Sequence, residues 1–218
     1  MYTPKHFAEP RIEVMHELMR ARPLATLVTL ASGGLEANHI PLHLVDAPVP
    51  FGSLRGHVAR ANPLWRDFNR DFGALAIFHG PDCYITPNWY ATKQQTGKVV
   101  PTWNYAAVHA YGALRIIDDA GWIRAQIEAL TDRHEAGHAH PWAVSDAPRE
   151  YTEKRIEAIV GFEIVITRLN GKWKTSQNQP AQNQAGVIAG LKSSGQRDAA
   201  EMAALVAANA IHPQQESE

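Results

Sequence analysis

The chain of 218 residues holds a single cysteine, Cys83. A lone cysteine can form no internal disulfide, so a reducing compartment is the simple reading. There is no excess of charge either. Its 21 Lys and Arg against 22 Asp and Glu leave a formal net charge of −1, and the basic residues are scattered. Such a surface exerts no global pull on nucleic acid or on anionic membrane. No apolar run approaches the roughly 20 residues of a membrane-spanning helix. The opening MYTPKHFAEPR lacks the apolar core of a signal peptide. A soluble, cytoplasmic protein without membrane contact is expected. Dinucleotide fingerprint, Walker loop, G-x-S-x-G elbow, HExxH pair, zinc-finger spacing and helix-turn-helix pattern are all missing, which removes the enzyme and DNA-binding classes built on them.

What is present is an ordinary globular composition, 45% apolar and 20% charged, long enough for one α+β domain with a sizeable core. Ile12, Met15 and Met19 recur at helical spacing after Pro10, predicting a short amphipathic helix over 11–21 that Pro23 ends. Leu24 to Leu30, a Ser32-Gly33-Gly34 turn and Leu35 to Val45 read as a hairpin, and a third strand follows at 53–58. Asn62-Pro63 reads as an N-cap and first turn of a helix through Phe68. Residues 74–78 and 83–86 read as short strands around a His79-Gly80-Pro81-Asp82 turn, and Val99 to Ile117 is the longest strand-like tract. Helices are expected after Asp118-Asp119 and over 149–160. Phe162 to Leu169 should be a strand entering an Asn170-Gly171 hairpin. Residues 181–210 read as Ala-rich helix broken near Gly195, and the polar tail from His212 as disordered. About six or seven strands joined mainly by hairpins suggest a closed antiparallel barrel with peripheral helices. The main domain is placed at 1–192, with 193–218 as an appended helix and tail.

Several constellations could carry chemistry, each with a plainer reading beside it. Arg60 just before the Asn62-Pro63 helix start could form a phosphate site, or a solvated arginine by a capped surface helix. Trp103, Asn104 and Tyr105 could stack on and hydrogen-bond a flat heteroaromatic ring, or form a structural strand. The polar run Lys174 to Gln179 could cradle a phosphate or a polar ring edge, or serve as a linker. His39, His57, His79 and His109 lie in apolar strand contexts, where a satisfied interior histidine is the default. His134, His138 and His140 could bind zinc or haem iron, or simply occupy an exposed loop; no metal site is assigned.

The strings IFHGP, YITPNWY and VPTWNY, with GHVARANP at 56–63, HIPL at 39–42 and SQN at 176–178, occur in order over residues up to about 192. In these segments the chain resembles the PaiB-type FMN-binding negative transcriptional regulators. The resemblance implies an antiparallel split β-barrel with peripheral helices, FMN as cofactor, and a homodimer whose interface holds the flavin. It places Arg60 at the FMN phosphate with Asn62 beside it. Thr26, His39 and His57 would border the ring. Trp103, Asn104, Lys174 and Gln177 are the further candidates, with Trp103, Asn104 and Gln177 closing the site from a second copy. It also implies regulation through DNA or a regulatory protein partner. An FMN-dependent oxidoreductase of a small molecule and a haem-binding split barrel are the alternatives.

Overall fold

The computed structural model describes residues 1–211. In chain order the elements are β1 (Ala8–Glu9), α1 (Ile12–Ala21), β2 (Leu24–Ala31), β3 (Gly34–Pro41), β4 (His43–Val45), β5 (Ser53–Ala59), β6 (Ala74–Ile85), α2 (Thr92–Thr96), β7 (Thr102–Ile117), α3 (Ala120–Glu135), α4 (Arg149–Glu157), β8 (Ile159–Lys174), α5 (Ala181–Ser194) and α6 (Ala199–Ile211). The strands form one antiparallel sheet in the order β3-β2-β6-β7-β8-β5-β4, with β1 added to β8. The expected closed barrel is therefore corrected to a split one: the hydrogen-bonded path has two ends, β3 and β4. Among the described residues no helix is long and apolar enough to cross a membrane.

Contacts divide the chain into two compact units. The first comprises Ile12–Phe78 and His109–Leu169, and the second Met1–Arg11, His79–Val108 and the chain from Asn170 onward. In the first unit the alternation of β2 buries Ala25, Leu27 and Thr29. Its register with β3 runs from Leu24↔Pro41 to Ala31↔Gly34, set by a tight turn with Gly34 at φ 117°. The strands curve until β3 lies beside β5. Met15 and Met19 of α1 and Ile123 of α3 are buried in this unit, along with Leu54, Phe78, Phe162 and Ile164. Burying side chains of this size removes apolar surface worth about 1.5–3 kcal/mol each. Gly56 is required here: a Cβ would stand 2.8 Å from the Phe162 ring and 2.9 Å from Leu42.

The second unit has its own core of Cys83, Ile85, Tyr90, Val187, Leu191, Ala199, Met202, Ala203 and Val206. Gly190 lets α5 lie directly on Trp89, since a Cβ there would fall 2.2 Å from the indole. Gly195 separates α5 from α6 at φ 67°, where the Ala-rich pattern was expected to break. The expected appendage from 193 thus contributes Ala199, Met202, Ala203 and Val206 to a core shared with β6. The tail from His212 lies outside the described residues.

Three local expectations fail for identifiable reasons. The His79-Gly80-Pro81-Asp82 turn is absent, and β6 runs through it. None of those four residues takes a left-handed conformation, and the N–H groups of Asp82 and Tyr84 find Asp198 and Gln196 side chains at the strand edge. The Asn170-Gly171 hairpin is likewise absent because β1 pairs there, Glu9 opposite Gly171 and Ala8 opposite Lys172, and keeps β8 extended. The helix expected from Asn62 is only a three-residue 3-10 turn, Pro63–Trp65.

Candidate functional site

The candidates in the first unit are each engaged within the chain. Thr26 and His39 face each other across the β2–β3 ladder, with Oγ1 3.2 Å from Nδ1. His57 Nδ1 lies 2.8 Å from Gln126 Oε1 on α3. Asn62 caps its own turn by accepting from the Leu64 N–H at 2.9 Å, and its Nδ2 donates to Asn38 Oδ1 at 2.8 Å. Arg60 holds Asp118 through both guanidinium branches, at 2.9 and 2.6 Å, and donates to the carbonyls of Glu157 and Ile159. The hydrogen bonds with Asp118 raise the arginine pKa and lower the carboxyl pKa. A phosphate here would compete with Asp118 for the guanidinium, since these bonds already occupy most of its N–H donors.

The second unit contains a pocket of about 190 Å³ lined by Phe7, Tyr90, Val100, Thr102, Asn104, Lys174, Ser176, Asn178 and Gln179. Thr102 and Asn104 enter it from β7, where period-2 alternation puts them on one face. Trp103 goes to the other face, half exposed, its ring centroid 5.9 Å from that of Tyr84. Lys174, at the end of β8, donates to the Thr102 hydroxyl. Asn104 is 1% exposed; its Nδ2 donates to Ser176 Oγ at 2.8 Å, while its Oδ1 is buried with no partner among the described residues. Of the predicted site residues, Asn104 is the one that carries such an unmet atom, and a buried orphan acceptor costs about 1–3 kcal/mol.

The loop after β8 is built to hold this arrangement. Gln177 Oε1 accepts from the Thr175 N–H at 2.7 Å, and its Nε2 donates to the Trp173 carbonyl at 2.5 Å. Thr175 Oγ1 accepts from Asn209 of α6 at 2.5 Å. Gln177 therefore braces the loop and is not among the pocket's lining residues. Between Thr175 and Gln177, Ser176 is forced to φ 64°, the one non-glycine residue at positive φ among those described. Burial raises the pKa of the Tyr90 phenol, which keeps its proton and stays a potential donor.

The structure thus brings Asn104 and Lys174 into one pocket and leaves Trp103 and Gln177 out of its lining. Sequence reasoning did not single out Thr102, and it reached Ser176 only as part of the polar run Lys174 to Gln179. Strand alternation from Asn104 would have found Thr102; the left-handed backbone of Ser176 left no compositional signal. Chemically, the pocket offers a cation and hydroxyl donors, with the Asn104 acceptor buried beneath its lining. That set complements a planar imide edge, where a ring N–H stands between two carbonyl oxygens.

Residues 1–168 match the model of a family described as "Putative FMN-binding domain". The chain is 37% identical over 231 residues to an uncharacterized protein of Emericella nidulans, covering 89% of this chain and 92% of that one. It is 29% identical over 206 residues to the Protease synthase and sporulation protein PAI 2 of Bacillus subtilis, covering 94% and 96%. Among solved structures it resembles the FAD and heme binding protein of Mycobacterium smegmatis, with TM-score 0.55, 19% identity and coverage of 77% and 73%. It also resembles a conserved hypothetical protein of Mycobacterium tuberculosis, with TM-score 0.57, 12% identity and coverage of 83% and 94%.

Proposed function

The chain is a PaiB-like member of the FMN-binding domain family, and from that premise we propose that it is a negative transcriptional regulator that reads its state through bound FMN. The observation that carries the reading is the unpartnered Asn104 Oδ1 in a pocket that also holds Lys174. The residues fit FMN: its isoalloxazine pyrimidine edge offers one ring N–H for that acceptor and carbonyl oxygens for Lys174 and the hydroxyls. At about 190 Å³ the pocket suits a ring edge rather than the whole cofactor. Arg60 is the proposed phosphate anchor, with Thr26, His39 and His57 toward the ring, and the pocket that holds Asn104 would be brought to this flavin by a second copy of the chain.

Bound FMN supplies a reversible hydride and electron acceptor. The chain's own part is to orient it and set its charge balance. Lys174 favours negative charge on whatever ring edge enters, and the burial of Asn104 keeps water from competing for its acceptor. Regulation is proposed to act through a ligand or a protein partner, since a net charge of −1 supports little non-specific attraction to DNA.

The test is FMN titration followed by absorption and sedimentation. Saturable flavin bands and twice the chain mass are expected. A clean monomer with FMN bound removes the dimer. No flavin binding at micromolar FMN removes the cofactor reading. Rapid bleaching by NAD(P)H, or a Soret band on adding haem, transfers the protein to the oxidoreductase or haem class.

A further inference from the structure

Helices α3 and α4 touch each other within the first unit, and a cleft of about 350 Å³ remains between them. That volume lies in the range of small-molecule pockets, about 300–1,000 Å³. Its walls follow from helical spacing. Ala120, Gly121 and Arg124 lie within one turn of α3, and Glu153, Ile156 and Glu157 within one turn of α4, so each set lines one wall. Packing does not impose the glycine. The backbone of Gly121 is not left-handed, and beyond its immediate neighbours a Cβ would meet only Asp119 Oδ1, at 3.4 Å. With no side chain at 121 and only a methyl at 120, α3 leaves room opposite α4.

The cleft carries charge of both signs. Glu153 is already held by Arg149 at 2.7 Å; that bond, with the charge of Arg124 adding to it, lowers the carboxyl pKa. The Arg124 guanidinium and the Glu157 carboxylate have no hydrogen-bond partner among the described residues. Two arginines and two glutamates sum to zero, so the site favours neither a plain anion nor a plain cation over a molecule that carries both charges. A guanidinium fork suits a carboxylate, and a free carboxylate suits an ammonium. Ile156, 4% exposed, and Ala120 supply apolar surface beside them.

We propose that this cleft binds a free α-amino acid with an aliphatic side chain, its carboxylate on Arg124, its ammonium on Glu157 and its side chain against Ile156. The site is separate from the pocket around Asn104, and it stands whether or not FMN binds. Arg60 touches residue 157 only through the backbone carbonyl, so the Glu157 carboxylate is not part of the proposed phosphate anchor.

The test is ligand-observed NMR titration of the full-length protein with L-leucine and two truncated forms of it. One is 4-methylpentanoate, which lacks the ammonium; the other is 3-methylbutylamine, which lacks the carboxylate. Saturable leucine binding in the millimolar range is expected. Each truncated form should bind roughly three- to fivefold more weakly, the size of a partly exposed charge contact. Arg124→Gln should abolish the preference for leucine over 3-methylbutylamine and keep the preference over 4-methylpentanoate. Glu157→Gln should do the reverse. Glu157 is exposed, so its variant keeps the test decisive if the Arg124 variant does not fold. Absence of saturable leucine binding at about 10 mM, where affinity becomes negligible, overturns the proposal. So does a folded variant of either residue that keeps both preferences, or a wild type that binds a truncated form as tightly as leucine.

Discussion

Replacing Asn104 by leucine should separate stability from binding. In the free protein Asn104 makes one side-chain hydrogen bond, to Ser176 Oγ, and buries one acceptor with no partner. Leucine, the nearest apolar shape, forfeits the bond, worth about 0.5–1.5 kcal/mol. It abolishes the orphan acceptor but leaves the buried Ser176 hydroxyl without its partner, and these two terms, each about 1–3 kcal/mol, nearly cancel. For a chain of this size 1 kcal/mol moves the melting temperature by about 2–4 °C, so the free variant should melt only a few degrees below the wild type. FMN binding has no such compensation. Loss of the buried acceptor should weaken it by about 1–3 kcal/mol, roughly 5- to 150-fold. Scanning fluorimetry of the free protein and quenching of flavin fluorescence on titration measure the two quantities independently. The reasoning is refuted if the variant melts more than about 5 °C lower with FMN affinity intact, because Asn104 would then be a structural residue.

Other expectations follow from the same geometry. Arg60→Ala should weaken FMN roughly tenfold to a hundredfold through loss of a charge-assisted bond, and leave riboflavin unmoved, as isothermal titration with both ligands would show. Asp118→Asn, which removes the carboxylate now held by Arg60, should tighten FMN. Unchanged FMN affinity in a folded Arg60→Ala protein moves the anchor elsewhere, Lys174 being next. His43 has a pKa lowered from 6.5 by burial first and then by the positive charges of Arg133, Arg55, Arg20 and His134. A depressed folded-state value gives stability that is present above the unfolded pKa and lost as pH falls through 6.5 and below. The urea midpoint followed by circular dichroism should therefore drop between about pH 7.5 and 5.5, and the slope should be shallower in His43→Gln. An equal slope in both would show that other groups govern the acid limb. Burial, with Asp198 and Asp82 nearby, pushes the Cys83 thiol up to about 11. A thiol reagent at neutral pH should leave it untouched in the folded protein and modify it after denaturation; rapid native labelling would contradict this.

Much of the architecture was legible in the chain. The helix over Ile12–Ala21, the β2–β3 hairpin, the Asp119 cap of α3 and the break at Gly195 are all local events. Periodicity, capping residues and glycine conformations act within a few residues and need no tertiary partner. The motif strings carried the family and with it FMN, while the polar run from Lys174 to Gln179 already pointed to a ring edge or phosphate.

Where the sequence misled, a distant segment intervened. The Asn170-Gly171 pair has strong turn chemistry, yet Ala8 and Glu9, far away in the chain, supply ladder partners that keep it extended. The Pro81 region stays a strand where Asp198 and Gln196 take its edge N–H groups. The alternation of β7 was available from the sequence and would have separated Trp103 from Asn104. What was not available was the partner count of individual polar atoms. That Arg60 is already paired with Asp118, and that Asn104 Oδ1 is paired with nothing, depend on residues brought together from 58 and 72 positions away, Asp118 and Ser176. Local sequence determines which side chains a strand presents to each face. Only the assembled fold decides which of their hydrogen-bonding atoms remain unmet, because satisfaction of a buried group depends on neighbours that the chain supplies from elsewhere.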